Sequence, residues 1–324
     1  MAIEHIKYIR IEFIPLISIV IPIYNEEENI SRLLNSLYDV MRKSEDEFEI
    51  IIVDDGSADS SLSVLRNEKI DKNMNELRII ELRKNFGQTA ALLAGFSKAQ
   101  GEIIISLDGD LQNDPKDIPK FLQKLEEGYD IVCGWRKKRK DSVFKRIPSK
   151  ISNYLNRRLN RINIHDSGCT FRAYISDAAK GLKLTGEGHR YIPAILSYQG
   201  YRITEIPIEH HPRLKGKTKY GSGRLFRGFI DLISLNIFYN YRGRPFLLFG
   251  AIGIPMFIVG MISTIFMVYE RLFLRGSLSD RPAFFIAVML CIASLQILLT
   301  GVIAELYVRT TINPRETYKI RKEY

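Results

Sequence analysis

The sequence predicts an α/β fold, a mostly parallel sheet with helices on both faces, joined to a membrane portion of two C-terminal transmembrane helices. Three observations predict it. Apolar runs of strand length alternate with helical patterns through the first half of the chain. Acidic residues recur just beyond those runs, and two long stretches near the C-terminus carry no charge.

Leu16 to Ile23 is an apolar run that closes on Pro-Ile-Tyr-Asn-Glu-Glu, and Ile30, Leu33, Leu34, Leu37 and Val40 then recur at helical spacing. This reads as strand, loop and helix. The pattern repeats with a strand over Glu49 to Val53 that ends on Asp54-Asp55-Gly56-Ser57. Leu77 to Leu82 forms the next, before Arg83-Lys84-Asn85-Phe86-Gly87. A helix around Ala90 to Ala99 precedes a fourth strand, Ile103 to Leu107. In parallel sheets ligands bind beyond the carboxyl ends of the strands, where Asn25, Glu26, Asp54, Asp55, Lys84, Asp108 and Asp110 fall. One acidic strand end is readily a helix N-cap, an even alternative for Asp59, but a succession of them points to a site.

Pro245 to Tyr269 and Pro282 to Ala304 are free of charged residues. Each is long enough to cross a hydrocarbon core of roughly 30 Å. The connecting segment Glu270 to Arg281 is short and polar. Arg242, Arg244, Arg309, Arg315, Lys319, Arg321 and Lys322 outnumber the basic residues of that connection, which places the bulk of the chain on the cytoplasmic side. Upstream, Leu225 to Phe238 carries its apolar residues mostly on one helical face. An interfacial helix and a core helix both fit it. The resulting division is residues 1–221 as the large domain, 222–244 as a juxtamembrane amphipathic helix, 245–308 as two spans and 309–324 as a basic tail.

The 324 residues are 46% hydrophobic and 26% charged, the composition of a folded chain rather than a disordered one. A formal charge of +10 suits nucleic acid, an anionic membrane or a phosphorylated substrate. The basic residues cluster around the apolar region, which favours lipid headgroups and phosphates over a duplex. Nucleic acid is not an expected partner. Cys133, Cys169 and Cys291 show neither Cys-x-x-Cys spacing nor an even count, so no zinc site or disulfide framework is expected. Glu4, Lys7, Arg10 and Glu12 interrupt the N-terminal apolar residues, unlike a cleaved signal peptide. His165, His189, His210 and His211 show no ligand spacing and are read as structural.

In Ser106-Leu107-Asp108-Gly109-Asp110-Leu111-Gln112, two carboxylates one residue apart close a strand, and Gly109 permits a tight turn. That pairing can present hard oxygens to Mg2+ or Mn2+ shared with a diphosphate. No Gly-x-x-x-x-Gly-Lys-Ser/Thr loop is present, which excludes a P-loop.

Pro22-Ile-Tyr-Asn-Glu, Val53-Asp-Asp-Gly-Ser, Arg83-Lys-Asn-Phe-Gly-Gln and Asp108-Gly-Asp-Leu-Gln together resemble glycosyltransferase family two, the inverting enzymes of GT-A fold. Within it the chain is similar to the branch of dolichol-phosphate mannosyltransferase and GtrB-type polyprenyl-phosphate glycosyltransferases. Gly134-Trp-Arg136, Asp166-Ser-Gly-Cys-Thr-Phe-Arg172 and Arg213-Leu-Lys-Gly-Lys-Thr-Lys-Tyr220 agree with that branch. The resemblance implies that Pro22, Tyr24, Glu26, Asp54 and Asp55 hold the nucleotide, with Lys84 nearby. It implies that Asp108, Asp110 and Gln112 hold the metal and diphosphate, and that Arg136, Arg213 and Lys219 contact phosphates. Arg146 and Ser149 belong to the acceptor loop. The Gln-x-x-Arg-Trp motif of processive synthases is replaced by Gln199-Gly-Tyr-Arg202-Ile203, which argues against polymerisation.

The expected reaction moves glucose from UDP-glucose to a polyprenyl phosphate of undecaprenyl type in the bacterial plasma membrane. The acceptor is already largely a dianion at neutral pH, so charge stabilisation on the leaving diphosphate carries more weight than a general base. GDP-mannose or a modified UDP-sugar as donor, diacylglycerol as acceptor, and a non-catalytic scaffold for anionic lipid are the alternatives. Arg213 to Tyr220 reads as a phosphate loop or a solvated one, and Ser142 to Arg161 as a membrane contact or an ordinary surface. Gly250, Gly253 and Gly260 offer a surface for self-association into a homo-oligomer.

Overall fold

The computed structural model describes residues 16–44, 46–137, 164–212, 237, 241, 244–273 and 282–311. The amphipathic stretch 222–244 lies mostly outside them, as do the acceptor loop with Arg146 and Ser149 and the basic loop with Arg213 and Lys219. The chain divides into two compact units, Met1–Leu232 and Ile233–Tyr324.

The first unit is built on a seven-stranded mixed sheet. Its strands are β1 (Ile17–Ile23), β2 (Phe48–Asp54), β3 (Leu77–Glu81), β4 (Ile103–Ser106), β5 (Ile131–Trp135), β6 (Arg172–Ile175) and β7 (Ile203–Pro207). They lie in the order β3-β2-β1-β4-β6-β5-β7. The first four are mutually parallel, and β5 runs parallel to β7. Only β6 opposes its neighbours, pairing antiparallel with both β4 and β5. The carboxyl ends of β1 to β5 therefore share one edge, and the register sets Ile23 beside Asp54 and Asp54 beside Glu81.

Every residue of β1 is buried, so both of its faces must be covered. Ile17, Ile19, Ile21 and Ile23 join the cluster that includes Leu33, Leu34 and Leu37 of α1 (Ile30–Met41), Leu65 of α2 (Ser61–Asp71) and Phe121 of α4 (Ile118–Glu126). The opposite face meets α3 (Gln88–Lys98), where a Cβ on Gly95 would overlap Val20 and press on Val53. On that face the Phe96 and Tyr174 rings meet edge-on at 5.5 Å. Two shorter helices, α5 (Ser176–Lys180) and α6 (Ile192–Tyr198), follow β6.

At the opposite edge of the sheet, Glu49 of β2 joins three strand entries. Its side chain accepts from Ser18 Oγ at 2.6 Å, the Gln100 amide at 2.6 Å and Arg78 Nη1 at 2.6 Å. Burial opposes its charge, but these donors outweigh burial and hold its pKa below the ordinary 4.5. The stabilisation is therefore present above pH 4.5 and lost as pH falls through the lowered value.

The second unit contains α7 (Pro245–Phe273) and α8 (Pro282–Thr311), each long and apolar enough to cross a membrane and each with 17% of its most apolar window buried. They run beyond the expected ends at Tyr269 and Ala304. Their outward residues, such as Ile262, Phe266, Ile286 and Ile303, are exposed, an arrangement that suits lipid as solvent. The buried positions are small residues: Gly250, Gly253 and Gly260 on α7, and Ala287, Ser294 and Gly301 on α8. A Cβ on Gly253 would lie 2.9 Å from Leu298, and one on Gly260 would lie 2.8 Å from Cys291 Sγ. The sequence reading offered these glycines as a surface for self-association. Gly253 and Gly260 are occupied by the chain's own second helix, because close helix approach needs small residues on the seam.

Replacing Glu49 with Ala should lower stability by about 3 kcal/mol, since it strands two donors and a guanidinium. Chemical denaturation of the purified protein checks this, and Glu49→Gln should flatten the loss of stability below pH 4.5. Gly260→Leu should push the helix pair apart at a cost of about 1–3 kcal/mol, read as a lower unfolding temperature in detergent.

Candidate active site

The loops that follow β1 and β2 are laced together before they reach the site. Asn25 adopts a left-handed backbone, φ 51°, which asparagine tolerates. Its Oδ1 accepts from Ala58 N at 2.8 Å, while its own N–H donates to Ser57 Oγ at 2.8 Å. Glu26 N donates to Ser61 Oγ at 2.9 Å. Asp59 accepts from both Glu27 N and Ser61 N, so it ties the two loops, while the N-cap position of α2 is Ser60 and carries no side-chain cap. Asp54 is buried and accepts from the Ser57 amide and hydroxyl.

The β2 and β3 loops touch at Gly56, φ 68°, where a Cβ would lie 2.5 Å from the Lys84 carbonyl carbon. Glycine is needed for both the conformation and the contact. Asp55 then fixes the β3 loop, accepting from Phe86 N at 2.7 Å and Gly87 N at 2.8 Å. Burial raises its pKa, and these two amides oppose the rise.

These loops surround a cavity of about 240 Å³. Pro22, Tyr24 and Glu26 line it from β1, Asp55 from β2, Gly87 and Gln88 from the start of α3, and Asp108, Gly109 and Asp110 from β4. A Cβ on Gly109 would meet Ile23 Cγ2 at 2.7 Å, so the acidic turn lies directly against the end of β1. Leu111 takes φ 58°, a conformation that costs a non-glycine residue roughly 1 kcal/mol or more, and its side chain packs against the core. The turn is thereby fixed with Asp108 and Asp110 facing one space.

Asp108 is half-buried and accepts from Gln88 Nε2 at 2.7 Å. Burial, followed by the charge of Asp110, raises its pKa to about 6. The Thr170 hydroxyl and the guanidinium groups of Arg136 and Arg172 oppose the rise. Two carboxylates that repel one another beside a cavity are a donor set suited to a hard divalent cation. Gln112 lies next to this set. Its N–H donates to Asp110 Oδ1 at 3.2 Å and its carbonyl accepts from His211 N at 2.8 Å, but it is outside the cavity lining.

The structure gives Arg136 a partner that the sequence reading did not. Its Nε and Nη2 donate to Asp166 at 2.7 and 3.0 Å, and both side chains are largely buried. Arg172 is fully buried in β6 and donates to the carbonyls of His189 and Ser167 at 2.8 and 2.6 Å. Lys84 is exposed with Nζ 5.1 Å from the Phe86 ring, and it stands outside the cavity lining, as does Asp54.

Sequence reasoning missed Glu187 and His189, which line the cavity from across. His189, read as structural, is held by Thr89 Oγ1 at 2.8 Å from its Nδ1, a partner a hundred positions away. His211 was also read as structural. Its Nε2 lies 3.6 Å from Asp114 and 3.9 Å from Glu209, and this group has the residue types and spacing to hold a cation.

Comparison with known proteins follows the same lines. The profile of glycosyl transferase family 2 matches residues 18–182. The dodecaprenyl-phosphate galacturonate synthase of Rhizobium johnstonii is 40% identical over 298 residues, 91% of this chain and 88% of that protein. An undecaprenyl-phosphate 4-deoxy-4-formamido-L-arabinose transferase of Pseudomonas fluorescens is 36% identical, covering 80% of this chain and 75% of its own. Among solved structures, glucosyl-3-phosphoglycerate synthase from Mycobacterium tuberculosis, with Mn2+ and UDP, superposes with a TM-score of 0.53 at 17% identity, covering 69% of this chain and 80% of its own. A mannosyltransferase from Pyrobaculum calidifontis, with GDP-Man and Mn2+, gives 0.51 at 16% identity over 94% of this chain and 78% of its own. These likenesses fix the fold as GT-A, and with the profile and the 40% identical relative they make this chain a glycosyltransferase of family 2.

Proposed function

We propose that the chain transfers a sugar from a nucleotide sugar to a polyprenyl phosphate, working at the cytoplasmic face of a bacterial plasma membrane. The observation that carries this reading is the carboxylate pair Asp108 and Asp110 facing a cavity bounded by the β1, β2 and β3 loops, in a chain that also holds two apolar helices of membrane-crossing length. Polyprenyl phosphates stand as acceptors in the names of both relatives above.

Asp108 and Asp110 would hold Mg2+ or Mn2+, with Gln112 behind them. The bound cation would offset the charge that develops on the departing diphosphate. Tyr24, Glu26 and Asp55 border the part of the cavity suited to the nucleoside. The acceptor phosphate attacks the anomeric carbon. As its oxygen bonds to that carbon, the bond from the carbon to the diphosphate oxygen breaks, and one in-line displacement inverts the centre. The phosphate is already largely ionised at neutral pH, its second pKa being about 6. The chain's task is therefore to position the two phosphorylated substrates and to exclude competing water. Arg213 and Lys219 are proposed as phosphate contacts, with Arg146 and Ser149 on the acceptor side.

For the sugar, the sequence reading favours glucose from UDP-glucose. The names of the relatives favour a second reading, a uronic acid or a formamido-pentose. Purified protein given polyprenyl phosphate and, separately, UDP-glucose, UDP-galacturonate, a UDP-formamido-arabinose and GDP-mannose should release one lipid-linked product. Chelation of divalent cations should abolish transfer, and Asp110→Asn should lower it at least about 100-fold. Folded protein that transferred no sugar from any of these donors would overturn the reading. Transfer from a donor other than UDP-glucose would change only the sugar.

A further inference from the structure

The charges of two guanidinium groups act on Asp108, and hydrogen bonds to other partners hold both groups. Arg172 is tied to the carbonyls of Ser167 and His189. Arg136 is tied by Nε and Nη2 to the two oxygens of Asp166, a fork-to-fork pair with 13% and 4% side-chain exposure. The backbone N–H of Arg136 also donates to the same carboxylate, at 3.4 Å. A guanidinium in a partly dry site seeks a carboxylate, and a bidentate pair is the strongest form of that contact. Arg136 is near enough to Asp108 for the charge of each to act on the other.

We infer that Asp166 is a positioning residue that reserves Arg136: by holding the guanidinium fork it keeps that cation off Asp108 and Asp110 and leaves their charge available to a divalent ion. The inference rests on the reading of Asp108 and Asp110 as the ion's holders. It adds a competition that the reading alone does not contain. Without its own acceptor, Arg136 is the near cation with donors to spare, and it pairs with the carboxylates that the divalent ion needs. Arg172 does not compete in this way, since backbone carbonyls hold it and cannot be removed by exchanging a side chain.

The geometry gives the two substitutions opposite effects. Asp166→Asn preserves the size of the side chain and one acceptor oxygen but removes the charge that holds Arg136. Removing Arg136 as well takes away the competitor. A merely structural role for Asp166 predicts that the double variant is no better than the single one.

The test is Mn2+ binding to the full-length protein in detergent, followed by electron paramagnetic resonance of free Mn2+ in the presence of saturating UDP. Asp166→Asn should bind Mn2+ at least about tenfold more weakly than the wild type, and Arg136→Met/Asp166→Asn should return to within about threefold of it. Single-variant affinity within threefold of the wild type would overturn the inference, as would a double variant as weak as the single. Should Asp166→Asn not be recovered folded, the double variant decides alone. It lacks Arg136 and should bind Mn2+ within about threefold of the wild type, and tenfold weaker binding would sink the idea. Wild-type protein that bound no Mn2+ would instead refute the ion-holding reading of Asp108 and Asp110 itself.

Discussion

The repulsion between Asp108 and Asp110 is the constraint on which the rest of the first unit depends. Two carboxylates at the end of one strand tend to protonate or turn apart, and the pKa of Asp108 is raised by burial first and by the Asp110 charge second. The surroundings prevent separation. Gly109 lies against Ile23, Leu111 is fixed in a left-handed conformation by its packing, and Gln88 at the start of α3 donates to Asp108. The strain and the repulsion are carried by a core in which β1 is buried on both faces. Such a site is held ready for charge that arrives from outside the chain.

Much of this arrangement was legible in the sequence because it is local. Each of the first four strands ends in its own motif, and a parallel sheet brings successive strand ends to one edge without further information. The pocket residues Glu26, Asp55, Asp108 and Asp110 follow from that rule, and Tyr24 from the family resemblance. What the sequence hid depends on β6, which runs against its neighbours and inserts between β4 and β5. That insertion brings Arg172 and the His189 turn toward Asp108 and Asp166 to Arg136, and no spacing in the chain encodes those contacts. One signal was available: Arg172 is a charge inside the apolar run Phe171 to Ile175, and a charge placed there must find buried acceptors.

The same distinction explains the glycines of the second unit. Their presence in an apolar span marks a close helix contact, but composition does not say which helix supplies the partner. Ala287, Ser294 and Gly301 recur every seven residues on α8 and present a matching seam. That repeat was the clue that the contact is made within the chain. The outward faces then carry the large apolar residues, so the pair separates a tight interior from a surface suited to lipid.

Charge at the site is therefore arranged by what each ion is prevented from touching as much as by what it touches. Asp55 is engaged by two amides of the β3 loop, Arg172 by two carbonyls and Arg136 by Asp166. Each pairing uses a partner outside the carboxylate pair, and the two arginines are thereby bonded to groups other than Asp108 and Asp110. A cavity lined by acidic groups, with Arg136 and Arg172 bonded to other partners, keeps an unbalanced negative field at one point. A divalent ion shared with a diphosphate is the kind of ligand for which such a field is worth maintaining.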